Sequence, residues 1–250
     1  MKAQIITQGL PLLLFSATTT IYYIIKYYSD ESVYTIYFWI YILFVILSQL
    51  FINLTISRSI CGSNQWETAF YSTVGPWAII FGFLYIALKT FPSWLMPFSN
   101  TFGYLLVSLA GLSDIIEKLF KKTQDVKGID SGLLERIYTD KSAIINEITI
   151  NNFNNFWENM KGLFNDSVTG SDTTVKISLL NLVKMKELMA EYMWFMFSGF
   201  LIITISYNFI TTTTCKKSIQ DMQNAHKKHT DQSILDMVKD AGTETTLYTP

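Results

Sequence analysis

The sequence predicts an all-α, polytopic transmembrane protein with about five hydrophobic helical segments, a helical polar loop and a polar C-terminal tail. Three observations carry that prediction. Of 250 residues, 50% are hydrophobic and only 16% are charged, whereas soluble domains carry about a quarter charged residues. The mean hydropathy is accordingly +0.26. Three runs, Ile5 to Ile25, Val33 to Ile56 and Tyr192 to Ile210, contain no charge, and each approaches or exceeds the ~20 residues that cross a bilayer at 1.5 Å per residue. From Thr68 to Ser113 the only charged side chain is Lys89.

The first two runs are joined by "KYYSDES", which leaves room only for an antiparallel helical hairpin with Asp30 or Ser32 capping the second helix. Tyrosines 22, 23, 27 and 28 beside that turn suit an interfacial aromatic belt. The first run reads as a retained anchor rather than a signal peptide, because it is long enough to span and no small-x-small cleavage site follows. No lipidation motif is present. Gly75 to Thr90 and Ser99 to Ile116 lie at the lower length limit for a span. They read as two limbs of a crossing or re-entrant hairpin, with Pro76 in the first turn of its limb. Between them Pro92 and Pro97 forbid helix continuation, so "FPSWLMPFSN" is the turn, with Ser99 or Asn100 capping the second limb and Phe91, Trp94 and Phe98 at headgroup level.

A hairpin of either kind returns the chain to the side it left. The amino terminus, the Ser57–Val74 loop and the Glu117–Glu191 loop are then expected on one side and the tail on the other. Cys61 and Cys215 accordingly face opposite compartments and do not pair. Five regions follow: 1–57, a transmembrane hairpin; 58–116, an aromatic and proline-rich membrane core; 117–191, an amphipathic extramembrane loop; 192–214, the last span; and 215–250, the tail. In the loop, "NNFNNFWENMKGLF" repeats apolar residues at helical spacing and predicts an amphipathic helix. Lys161 is the only basic residue on its asparagine-rich polar side, which favours packing on protein over lying on a membrane surface. The tail predicts one amphipathic helix with too little apolar surface for a core of its own.

Little here supports catalysis, and the chain reads as no enzyme, without cofactor or metal. His226 and His229 share a helix face in "AHKKHT", but two lysines flank them and no carboxylate or thiol completes a zinc set. HExxH, GxSxG, P-loop and zinc-cysteine patterns are missing. A formal charge of −1 with only two arginines offers no nucleic-acid footprint. The confident spans hold none of the ionisable groups that transport pathways retain, and Lys89 reads as snorkelling at its helix end. "TTTT" at 211–214 and the broken helices leave a homo-oligomeric channel as the alternative. Asn53-Leu54-Thr55 and Asn165-Asp166-Ser167 match the glycosylation pattern, but Asn53 lies too near the bilayer and Asn165 counts only if its loop is lumenal.

Gly75 to Tyr104, "GPWAIIFGFLYIALKTFPSWLMPFSNTFGY", resembles the membrane-embedded core of virion membrane proteins of large nucleocytoplasmic DNA viruses, notably the chlorella-virus and mimivirus-like groups. The matching residues are Pro76-Trp77, Phe81-Gly82, Phe91-Pro92, Trp94-Leu95 and the run Pro97 to Tyr104. The resemblance implies a structural component of the particle's internal, host-derived membrane: a minor capsid protein that links it to the capsid shell or scaffolds it. It implies no catalytic residues. The partners it implies are the bilayer, capsid or other minor capsid proteins, and copies of itself. Aromatic anchors suit such contacts, so the candidate partner-binding residues are Trp94, Phe98, Ser99 and Asn100 in the break, Phe153, Phe156, Trp157 and Met160 in the loop, and Lys216 and Lys217 in the tail.

Overall fold

The computed structural model describes residues 2–63, 65–126, 129–169, 173–215 and 219–243. The predicted hairpin forms from α1 (Lys2–Tyr28) and α2 (Glu31–Cys61). Asp30 occupies the N-cap position with extended backbone (φ −74°, ψ 155°), but its side chain makes no capping bond. Its carbonyl instead accepts from the Val33 and Tyr34 N–H groups at 3.1 and 3.3 Å. Gly62 ends α2 in the left-handed conformation, φ 69°, returning its N–H to the Arg58 carbonyl, a termination that glycine makes without a Cβ penalty.

The next segment departs from the expected hairpin. α3 runs over Trp66–Thr90, so it starts nine residues before Gly75 and is long and apolar enough to cross a membrane. Pro76 therefore lies well inside the helix rather than in its first turn. A proline there cannot donate to the carbonyl four residues back. The backbone widens into a π turn over Trp77–Phe81, and the Ser206 hydroxyl donates to the Ser72 carbonyl at 2.7 Å.

α3 stops at Phe91, whose φ of −124° and ψ of 78° break the helix. The predicted turn is confined to that residue. α4, Pro92–Leu109, is helical throughout, because Pro92 and Pro97 each sit at the start of a short helical piece, where the missing N–H has no carbonyl to serve. Neither Ser99 nor Asn100 caps a helix, since the piece that Ser99 opens has no side-chain cap and follows a residue that is already helical.

α4 does not return across the bundle. It runs antiparallel to α10, the 39-residue helix Thr174–Thr212. Trp194 Nε1–H donates to the Trp94 carbonyl at 2.8 Å, Gly103 lies against Lys186, and Val107 shares a buried cluster with Leu179, Leu182 and Val183. At 1.5 Å per residue α10 is about 58 Å long, nearly twice the ~30 Å hydrocarbon thickness. Its spanning part is the uncharged stretch from Tyr192, and residues 174–191 stand beyond the bundle. The expected boundary between 191 and 192 thus falls inside one continuous helix.

Four crossings make the bundle: α1, α2, α3 and the second half of α10. Phe15, Tyr22, Phe38, Trp77, Phe81 and Phe195 fill its axis. Buried side-chain bonds fix the register: Thr19 with Tyr41 at 3.0 Å, Asn53 to Thr73 at 2.7 Å, and Gln49 to the Pro11 carbonyl at 3.1 Å. Asn53 is 4% exposed, which closes it to glycosylation.

Beyond the bundle, α5 (Leu112–Leu119), α6 (Ile129–Thr139), α7 (Ser142–Ile145), α8 (Phe153–Met160) and α9 (Asp166–Thr169) pack on the first half of α10. α4 meets α5 at an 82° bend, made by Gly111 at φ 97°. An antiparallel bridge closes the domain, with Lys121 N–H to Leu163 O at 2.9 Å and Asn165 N–H to Leu119 O at 2.8 Å. The Asn165 side chain is engaged there too, donating to the Lys118 and Phe120 carbonyls.

Cys61 and Cys215 form a disulfide, Cα–Cα 5.5 Å. This reverses the expected sidedness, because the ends of α2 and α10 meet on one face. The start of α1 and the start of α3 lie on that face, while the α1–α2 turn, α4 and the helical domain share the other. The expected sidedness requires 99–116 to return across the bundle, and it does not. α11 (Ile219–Thr243) forms the predicted tail helix and exposes Met222, Ile234, Leu235, Met237 and Val238.

Candidate functional site

The polar chemistry of the chain collects where the bundle meets the domain. Lys184, Glu187 and Glu191 recur on α10 at i, i+3 and i+7, one stripe of a helix. α1 contributes Lys26 and α3 ends with Lys89. Together they line a cavity of about 570 Å³ with Tyr34, Tyr85, Leu88, Leu188 and Phe195 among its apolar walls. A second cavity of about 210 Å³ lies behind it, sharing Leu95, Asn151 and Glu187 with the first.

Each charge has a distinct surrounding. Lys26 Nζ pairs with Glu191 Oε2 at 2.5 Å and faces the Tyr23 and Tyr34 rings at 5.6 and 5.3 Å. Lys184 donates to the Tyr27 carbonyl at 3.0 Å. Lys89 stands over the Tyr85 ring at 5.9 Å. Glu187 Oε1 accepts the Ile150 N–H at 2.8 Å, and burial pushes its carboxyl pKa up.

Lys186, the residue before Glu187 but on another side of α10, is 1% exposed. It donates to the Ile145 and Ile148 carbonyls at 2.6 and 3.0 Å, tying the end of α7 to α10. Burial holds its pKa down to about 8, against the pull of the Glu187 and Glu147 carboxylates. The sequence shows Lys184 and Lys186 only as boundary charges. The signal for the stripe is the 184/187/191 spacing, which leaves Lys186 on a different side of the helix.

The candidate partner-binding residues are dispersed. Trp94 and Phe98 clamp α10: Trp94 stacks near Trp194 at 6.3 Å and Phe98 meets it edge-on at 4.9 Å. Ser99 and Asn100 line the second cavity. Phe153 and Trp157 are buried in the domain core with Phe156 and Met160 packed against it, so the amphipathic helix spends its apolar face inside this chain rather than on a partner. Lys216 and Lys217 lie outside the described residues. His226 and His229 sit on the exposed tail helix, and no group of metal-binding side chains occurs among the described residues. No protein-family model, curated protein or solved structure matches the chain.

Proposed function

We propose that the protein is a non-catalytic structural membrane protein that links a membrane to a protein shell, as a minor capsid component of a large DNA virus or a scaffold of its internal membrane. The observation that carries this reading is an exposed apolar strip on α4: Phe102, Leu105, Leu106 and Leu109, the last 80% exposed. Its anchor Val107 packs with Leu179 to Val183, which places the strip about 13–20 Å beyond Tyr192 along α10. An uncharged strip held on a rigid domain outside the hydrocarbon marks a surface that protein covers. The resemblance of Gly75–Tyr104 runs up to this strip and supplies the viral context.

Disulfides persist in oxidising compartments, so the face carrying Cys61 and Cys215 is lumenal and the helical domain is cytosolic, where a shell would assemble. The aromatic-filled bundle axis favours a scaffold over a channel, as does the return of the Thr211, Thr212 and Thr213 hydroxyls to carbonyls of their own helix.

Cross-linking mass spectrometry on intact particles tests the proposal. Links from Lys118, Lys121, Lys122 or Lys161 to shell proteins are expected, with none from Lys227 or Lys228. Replacing Leu105 and Leu109 by serine should reduce those links several-fold without unfolding the protein. Links confined to copies of this chain would overturn the reading in favour of a homo-oligomeric channel.

A further inference from the structure

The junction cavity combines features that the shell-linking role does not use. It lies at the level of the Lys26–Glu191 pair and Lys89, where the bundle emerges from the hydrocarbon. Its volume, about 570 Å³, is in the range of small-ligand pockets. Three ammonium groups face two carboxylates across it. Both carboxylates already have partners, Glu191 in Lys26 and Glu187 in the Ile150 N–H. Lys89 and Lys184 have no carboxylate within ion-pair distance among the described residues. Lys184 spends one N–H on Tyr27, and Lys89 has only the Tyr85 ring beneath it. The cavity therefore carries a surplus of positive charge over an apolar floor of Leu88, Leu188 and Phe195.

We propose that this cavity binds the phosphate-bearing headgroup of an anionic membrane lipid. Lys89 and Lys184 hold the phosphate oxygens as point-charge donors, and the apolar floor takes the glycerol and first methylenes. Basic pockets between spanning helices on the cytosolic side recognise lipid phosphates in this way. A free phosphate ion shares the charge chemistry but would leave the apolar floor uncovered, so the lipid is the better match.

Native mass spectrometry of the full-length protein released from detergent micelles tests this, with phosphatidylglycerol and phosphatidylcholine as probes. The expected result is retained phosphatidylglycerol adducts, weakened on the order of tenfold in K89Q/K184Q, with phosphatidylcholine binding much more weakly to the native chain. Asn181 is exposed and lines the cavity, so N181W narrows it while leaving every charge in place, and it should also weaken the adduct. An unreduced disulfide and unchanged thermal unfolding establish that each variant is folded. Equal binding of both lipids, or binding unaffected by both folded variants, overturns the proposal. Displacement of phosphatidylglycerol by millimolar inorganic phosphate overturns the lipid assignment and makes the site one for a soluble anion.

Discussion

The Ser206 hydroxyl donates to the Ser72 carbonyl at 2.7 Å, the group that Pro76, four residues on, cannot serve. A helix in lipid has no water to satisfy such a carbonyl, and a neighbouring serine is one of the few remedies. Ser206→Ala should therefore lower stability by about 1–3 kcal/mol, read as thermal unfolding in detergent. Pro76→Ala restores an N–H, so the serine substitution should cost much less in that background. Equal cost in both backgrounds would contradict the pairing.

Gly103 meets Lys186 at backbone distance. A Cβ there would stand 2.6 Å from the Lys186 carbonyl oxygen and 2.8 Å from its Cγ. Backbone cannot swing aside as a side-chain tip does, so Gly103→Ala should cost about 1–3 kcal/mol. Limited proteolysis should find the 120–169 region opened in the variant. Gly132, with open space around it, is the control, and Gly132→Ala should leave the digestion pattern unchanged.

The buried Lys186 ammonium predicts a pH dependence of definite sign. Its pKa of about 8 in the fold lies below the ordinary 10.5, so between those values the unfolded chain holds a proton that the folded chain has released. Stability from this group therefore rises as pH goes from about 8 to 10.5. Lys186→Met removes the titration. The stability difference between native chain and variant should shift toward the native chain across that window, measured by denaturant unfolding at pH 7.5 and pH 10. A gap independent of pH would contradict the assignment.

The Cys61–Cys215 bond spans a sequence separation of 154, for which loop entropy gives at most about 5 kcal/mol. Membrane helices persist in the unfolded reference, so the observed loss in Cys61→Ser/Cys215→Ser should be smaller. The variant should still fold and should unfold at lower temperature. On non-reducing gels the native chain should run as a monomer that slows on reduction, and a disulfide-linked dimer would contradict the intramolecular pairing.

How much of this was legible in the sequence depends on whether hydropathy alone decides the matter. α1, α2 and the final span are long charge-free runs, and the amphipathic helix at Phe153 shows its period; all four are present. The start of α3 is harder to read, because "WETAFYST" is polar in sequence while Thr73 pairs with Asn53 and Ser72 with Ser206 inside the bundle. α4 is as oily as a span, yet it lies outside the bundle, because only the long-range contacts of Trp94, Gly103 and Val107 with α10 say where it goes. That one displacement inverted the sidedness of everything after it. The junction cavity was hidden for a related reason, since its lysines and glutamates come from three segments that only tertiary packing unites.

Sidedness is the claim on which the account turns, and thiol mapping on sealed membrane vesicles tests it most directly. After reduction from one side with a membrane-impermeant phosphine, an impermeant maleimide should label both Cys61 and Cys215 from the same side. A cysteine placed at Lys161, in a chain with both native cysteines changed to serine, should label only from the other side. Labelling of Cys61 and Cys215 from opposite sides, or of position 161 from the side of Cys61, would contradict the four-crossing arrangement.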